Sequence, residues 1–425
     1  MMDDVLVYTK LYHRKSEGLC VTTLNNQKRS LFCMTHSTSS TFGLQSLLFS
    51  KEDISTCFFR DPTDRELEFM SFFHGIQSLL SVDELLQLRK LHIKGRIGYN
   101  LISILGIQLL KIHYRQPTMK ETLLLLQENE NLRGILGICR VPSTASASRL
   151  ARVVEKVVKP AVLHERVIQA YKEEMNRTVG HLSIDSTTIQ AREKPFVRAK
   201  EVVTPATPVT QKKRGRKKKG SPEEKAFLEE KAETQRKKRE YLEESPEKSL
   251  SELEMRCSLT GKKNSKGKQQ WFIGYKAHLA TDDFGVTIAF AVTGACVHDC
   301  KVAVPLMKMA NQRTDFLYAL MDKGYLNPDI NAYADMIGRR VIIDQRAHRS
   351  VAALPMEKAD AVRYKARTTV ERSNSELKDG FLPDKIYRRG SHARYDIELA
   401  ILMTTMKKVW KMLLLKEESK AKKAS

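Results

Sequence analysis

Between Gly180 and Asp344 the chain alternates in a way that leaves few folds open. Strand-like runs occur at Gly180–Gln190, Gln270–Ala280, Gly285–Thr293, Asp315–Met321 and Arg340–Asp344. Helical patterns separate the later runs, at about Asp299–Asn311 and Asn327–Ile337, and a long helix at about Ala361–Lys378 follows. Three strands in a meander, then helix and strand in turn, predict a mixed α/β sheet flanked by helices. The preceding part is helical in pattern. Leu67, Met70, Phe73 and Ile76 recur at helical spacing, and Ser81-x-x-Glu84 and Thr118-x-x-Glu121 read as capping boxes. Further helices are expected at about 96–113, 118–128, 130–137 and 145–158.

These patterns divide the chain. Residues 1–60 form a weakly patterned extension, 61–176 an all-α domain, 177–412 the α/β domain and 413–425 a basic tail. An insertion, about 191–268, separates the first two predicted strands, with one charged helix expected over Ser221–Glu254. In the α-domain, Asn131–Val158 reads either as a helix-turn-helix, with Arg149 and Arg152 facing DNA, or as an ordinary helical hairpin.

The formal charge is +23, from 73 Lys plus Arg against 50 Asp plus Glu, which favours a polyanionic partner. The densest block is 211–220, where Lys212, Lys213, Arg214, Arg216 and Lys217 belong to a run of seven cations. It fits a non-specific DNA tether, a nuclear localisation signal or an inert linker; it also resembles an AT-hook without the proline after its second arginine. No apolar run reaches ~18 residues, so no membrane span is expected. The first residues carry no signal-peptide pattern, and the chain is expected in the cytosol or nucleus. Seven irregularly spaced cysteines fit reduced thiols. Cys296-x-His298-Asp299-Cys300 has no second Cys/His pair at ligand spacing, which argues against structural zinc. Trp271 and Phe272 are expected in the core of the second predicted strand.

Three segments end in acids. Asp185 follows Leu182-Ser183-Ile184 inside the first strand, and Asp322 ends the fourth, where ligands of open α/β sheets collect. The third segment reads Tyr364-x2-Arg367-x3-Glu371-x6-Lys378. With Tyr364 at zero on a regular helix, Arg367, Lys378 and Glu371 fall at about 300°, 320° and 340°. Ala366, Val370, Ser373 and Leu377 take the opposite, packing side. Taken singly, Asp185 could cap a turn, Asp322 could cap the next helix, and Glu371 could pair with Arg367. Taken together, three hard carboxylates suit Mg²⁺, or Mn²⁺ in its place, and two such ions about 3.5–4 Å apart serve phosphodiester chemistry.

At these residues the chain resembles a family. It looks like a DDE transposase of a bacterial insertion sequence, of the branch whose third motif is Y-x2-R-x3-E-x6-K. The first motif is matched around Asp185 and the second by Asp322-Lys323-Gly324-Tyr325. The resemblance implies an RNase H-like catalytic domain and cleavage and strand transfer of DNA. Catalytic and metal-binding roles would fall to Asp185, Asp322 and Glu371; Tyr364, Arg367 and Lys378 would contact DNA. A His-Asp pair before the helix after the third strand is also usual, and His298-Asp299 stands there. Expected partners are duplex DNA, both transposon ends and target, and a second copy of the chain in the active complex, with cytoplasmic, nucleoid-associated localisation. Only 49 positions separate Asp322 from Glu371 (371 − 322), too few for the β-rich insertion that some members carry there. Two other functions fit: an inactive transposase-derived DNA-binding protein, or an RNase H-like repair nuclease.

Overall fold

The computed structural model describes residues 60–89, 99–175, 178–196, 221–263, 267–344 and 355–424. The extension 1–59 and the basic run 211–220, with Lys212, Lys213, Arg214, Arg216 and Lys217, lie outside the described residues. The chain divides into two compact units, Met1–Leu110 with Met119–Val158, and Lys111–Thr118 with Lys159–Ser425.

The first unit is helical: α1 (Asp64–Leu79), α2 (Val82–Arg89), α3 (Leu101–His113, up to Leu110), α4 (Met119–Glu128), α5 (Glu130–Ile135) and α6 (Thr144–Val157). Its core gathers Phe69, Phe72, Ile76, Leu105, Leu109, Leu126 and Val154. Thr63 and Glu66 close a capping box at the start of α1. Gly106 is required by close approach: a Cβ there would meet Leu136 at 2.2 Å and the Phe73 ring at 2.7 Å. Eight residues, 136–143, join α5 to α6. That is about twice a helix-turn-helix turn, so the helical hairpin is the better description. It begins at Gly137, whose φ of 63° ends α5, with Ile138 N donating to Arg133 O at 2.9 Å.

The second unit is built on a six-stranded sheet: β1 (Val179–Gln190), β2 (Ser258–Lys263), β3 (Gln269–Thr281), β4 (Thr287–Gly294), β5 (Phe316–Met321) and β6 (Arg340–Ile343). The central order is β4-β3-β1-β5-β6, with β3 antiparallel to β1 and β4 while β1, β5 and β6 run parallel. This is the RNase H-like arrangement that the resemblance implied. Its helices are α7 (Pro160–Met175), α8 (Pro222–Glu243), α9 (Pro246–Ser251), α10 (Cys300–Arg313), α11 (Pro328–Met336), α12 (Lys358–Tyr364), α13 (Thr368–Glu376) and α14 (Ser391–Ala424).

Four expectations need correction. β2 lies inside the stretch read as insertion, and pairs with the first half of β3 from Ser258↔Gly274 to Lys263↔Gln269. Gly261, Lys262 and Lys263 have low strand propensity and hid it. Trp271 is not core: it sits on this projecting ribbon, 66% exposed, while Phe272 is half-buried. The charged helix breaks into α8 and α9 because Ser245 caps a new helix with Pro246 at its first turn. The helix at Ala361–Lys378 is α12, a 3₁₀ turn at Lys365–Arg367, α13 and a π turn at Leu377–Phe381. The basic tail continues α14 as far as Ala424.

Candidate active site

β1 and β5 run side by side in parallel, and their last registered pair is Ile184↔Met321. The next residues are Asp185 and Asp322, so the two acids occupy equivalent positions on strands spaced about 4.8 Å apart. Asp322 leaves the strand in extended conformation and accepts from Gly324 N at 2.6 Å, opening a 3₁₀ turn, Lys323–Tyr325. It therefore caps the next turn. Asp185 is half-buried and its Oδ2 accepts from Asn374 Nδ2 at 2.9 Å.

The electrostatics make Asp185 a strained anion. Burial pushes its carboxyl up to about 6, the Asp322 and Asp299 charges push the same way, and the Ser186 amide and Arg367 only partly offset them. A carboxylate whose charge is disfavoured by burial and by two neighbouring acids is a suitable seat for a cation.

Asp299 is the acidic half of the His298-Asp299 pair. It makes no side-chain cap bond to α10; Lys276 Nζ holds its Oδ1 at 2.9 Å, and buried His278 Nδ1 stands 3.9 Å from the same oxygen. Burial lowers His278 to about 4, so the ring is neutral at pH 7. His298 itself is exposed. Tyr325 is fully buried, and burial with the three carboxylates Asp299, Asp185 and Asp322 raises its pKa well above the ordinary value.

α13 crosses the face of the sheet that carries Asp185. Ser183 Oγ donates to Ala366 O at 3.3 Å, Thr281 and Thr369 hydroxyls meet at 3.4 Å, and Val370, Ser373 and Leu377 are buried beneath. The packing side is the one expected from the helical spacing. Glu371 is exposed and paired with the Arg367 guanidinium, the i,i+4 alternative noted above. Arg367 also lies 5.7 Å over the Tyr364 ring. Burial raises the Tyr364 phenol, and among the charges around it Asp322 and Glu371 raise it further. Burial lowers the Lys378 ammonium, Lys262 adds to that, and Asp379 and Asp185 oppose it.

The structure thus gathers Asp185, Asp322, Asp299, Arg367, Tyr364 and Lys378 into one region, and leaves Glu371 at its rim on Arg367. Among the described residues no group of three or more His, Cys, Asp or Glu is close enough to hold a metal ion. Asp185 and Asp322 fit a hard divalent cation by donor type, and Asn374 Oδ1 is buried beside them without a hydrogen-bond partner. Asn374, Lys276, His278 and Tyr325 were not singled out from sequence for these roles. Asn374 falls at about 280° on the same helical wheel, between the packing side and the chemical arc and about 20° short of Arg367.

Elsewhere, Cys300 Sγ donates to Gly324 O at 2.9 Å, which ties α10 to the turn after Asp322. In the first unit, Arg149 and Arg152 are exposed on α6. No helix of the described residues is long and apolar enough to cross a membrane.

Comparison with known families finds one match, to the transposase DDE domain, over residues 179–406. Neither curated proteins nor solved structures give a match.

Proposed function

Because the chain belongs to the transposase DDE domain family, we propose that it cuts DNA at the ends of an insertion sequence and joins those ends to target DNA. The observation that carries this reading is the β1–β5 register, which sets Asp185, inside β1, beside Asp322 at the end of β5. Water attacks the scissile phosphorus, the P–O3′ bond breaks and a 3′-hydroxyl is released. That hydroxyl then attacks a target phosphodiester and displaces its 3′ oxygen. A divalent cation, Mg²⁺ or Mn²⁺, would supply activation of the nucleophile and stabilisation of the leaving oxygen.

The chain's own residues do the rest. Asp185 and Asp322 would hold the cation, and Glu371, once released from Arg367, would be the third acidic ligand. Arg367, freed, presents a planar fork to a phosphate, and Lys378 a point charge. Tyr364 supports Arg367 from below. Asp299, fixed by Lys276, keeps the pocket anionic. Arg149, Arg152 and the run Lys212, Lys213, Arg214, Arg216 and Lys217 bind duplex DNA through phosphates, and a second copy of the chain completes the active complex.

The test is incubation with the flanking DNA ends, a target duplex and Mg²⁺, with cuts and joins mapped at nucleotide resolution. Asp185→Ala, Asp322→Ala and Glu371→Ala should each abolish products while DNA binding persists. Wild-type cleavage by Asp322→Ala would refute the assignment. Wild-type protein that binds ends but never cuts them would support an inactive DNA-binding derivative instead.

A further inference from the structure

The residue that α13 presents to Asp185 is not Glu371 but Asn374, one turn on. We infer that Asn374 is a positioning residue of the carboxylate site, fixing the orientation of Asp185 and setting a further hard oxygen beside it. This rests on the reading of Asp185 and Asp322 as cation ligands given above.

Three observations carry it. First, the bond has only one sense. A carboxylate accepts, so the amide nitrogen must be the group facing Asp185 Oδ2, at 2.9 Å. That spends one lone pair of Oδ2 and fixes which way the carboxylate is turned. Second, the same assignment leaves Oδ1 of an Asn that is only 7% exposed without a hydrogen-bond partner. A buried amide oxygen left bare costs about 1–3 kcal/mol. A cation on Asp185 and Asp322, or a water bound to it, would satisfy that oxygen, which is hard and neutral and adds no further repulsion to three neighbouring acids. Third, the helix does not need Asn374 to dock. Val370 and Leu377 are fully buried, and Ser373 Oγ donates to Gly285 O at 3.0 Å while accepting from Lys408 Nζ at 2.8 Å. Packing already holds α13, so this buried polar side chain has a purpose other than adhesion.

The arrangement is that of a partner which orients a metal ligand. Removing such partners typically costs 10–100-fold in metal affinity.

The test reads Mn²⁺ binding to the full-length protein without DNA, by loss of the free-ion electron paramagnetic resonance signal, alongside a thermal melt. Asn374→Leu keeps the branch at Cγ and removes both polar groups; Asn374→Ala adds no bulk should leucine fail to fold. Asp185→Asn is the control for the site itself. The inference expects Asp185→Asn to lose binding, and the Asn374 variants to bind about 10-fold or more weakly with a melting temperature close to wild type. If Asp185→Asn loses Mn²⁺ but the Asn374 variants bind as wild type does, the inference fails and the carboxylate site stands. If the Asn374 variants lose binding only in proportion to lost folded protein, Asn374 is structural and the inference fails. If wild type binds no Mn²⁺, or Asp185→Asn binds it equally well, the carboxylate-site reading fails and takes the inference with it.

Discussion

Replacing Asp396 by Asn should destabilise the second unit more than any active-site substitution proposed above. Asp396 lies on α14, 2% exposed, and accepts from Lys111 Nζ at 2.5 Å and Arg388 Nη1 at 2.8 Å. Lys111 is itself 3% exposed, so its ammonium has no water to fall back on. Burial alone would raise the Asp396 carboxyl, but the Lys111 and Arg388 charges and their hydrogen bonds outweigh it and hold the group below its usual range. A depressed carboxyl contributes stability at neutral pH and loses it only as pH falls below the ordinary carboxylate range. Asp396→Asn keeps the volume and strands a buried cation, a change worth about 3–5 kcal/mol. For a unit of this size that corresponds to a fall in melting temperature of roughly 6–20 °C. Pairing Asp396→Leu with Lys111→Met should restore most of the loss, because it removes the two fully buried charges together and leaves only Arg388, which is 20% exposed and can turn to water. The assay is a reversible melt at pH 7, checked by urea titration. A fall under about 2 °C for Asp396→Asn would mean that the cluster is hydrated in solution, and the reasoning would be wrong.

Other outcomes follow from the same kind of argument. Arg367→Ala and Lys378→Ala should impair strand transfer with the melt nearly unchanged, since neither side chain, in the turns before and after α13, is among the buried packing residues; a large loss of melting temperature with activity per folded molecule preserved would make them structural. Arg367→Lys should not be silent, because a point charge cannot replace the fork. Gly106→Ala should destabilise the first unit, since the new Cβ would sit 2.2 Å from Leu136 and 2.7 Å from Phe73; an unchanged melt would show that α3 moves aside freely. His164 is fully buried against Phe290, and burial, then the Arg313 charge, lowers its pKa to about 3. Between pH 6.5 and 4.5 the unfolded chain takes up a proton that the folded chain refuses, so this group should remove about 2–3 kcal/mol of stability as pH falls. His164→Phe should flatten that part of the stability–pH curve, and an unaltered slope would refute the assignment.

Most of the α/β core was legible because its signals are short-range. β4 and β5 are runs of apolar residues bounded by turns, β1 alternates around Leu182 and Ile184, and α10 and α11 show helical spacing, α11 with Asn327 capping its start. β2 was hidden because what makes it a strand is its partner: Ser258–Lys263 has no apolar alternation, and only pairing with Gln269–Gly274 fixes its conformation. Trp271 misled for a related reason. An aromatic residue in a strand normally marks burial, but β3 runs well past the end of β1, whose pairing stops at Gln190↔Gly274, and Trp271 lies on the overhang. Its ring instead covers Gly261 across the ribbon, where a Cβ would come within 3.1 Å of it.

In the site, the boundary of what could be read has a sharper physical meaning. Asp185 and Asp322 stand out in sequence because an acid after an apolar strand is costly unless something compensates it, and that cost does not depend on rotamers. Glu371 is different. On a helix its carboxylate reaches Arg367 one turn back as readily as it reaches inward, and nothing in Arg367-x3-Glu371 decides between the two. The structure takes the outward choice, with Glu371 49% and Arg367 19% exposed, and i,i+4 pairs at helix surfaces are worth on the order of 0.5 kcal/mol. A phosphate competing for Arg367, or a cation competing for Glu371, needs to overcome no more than that. The third acid is therefore held back by an interaction weak enough for substrate to replace, whereas Asn374, buried and bonded to Asp185, stays in place whether or not Glu371 moves.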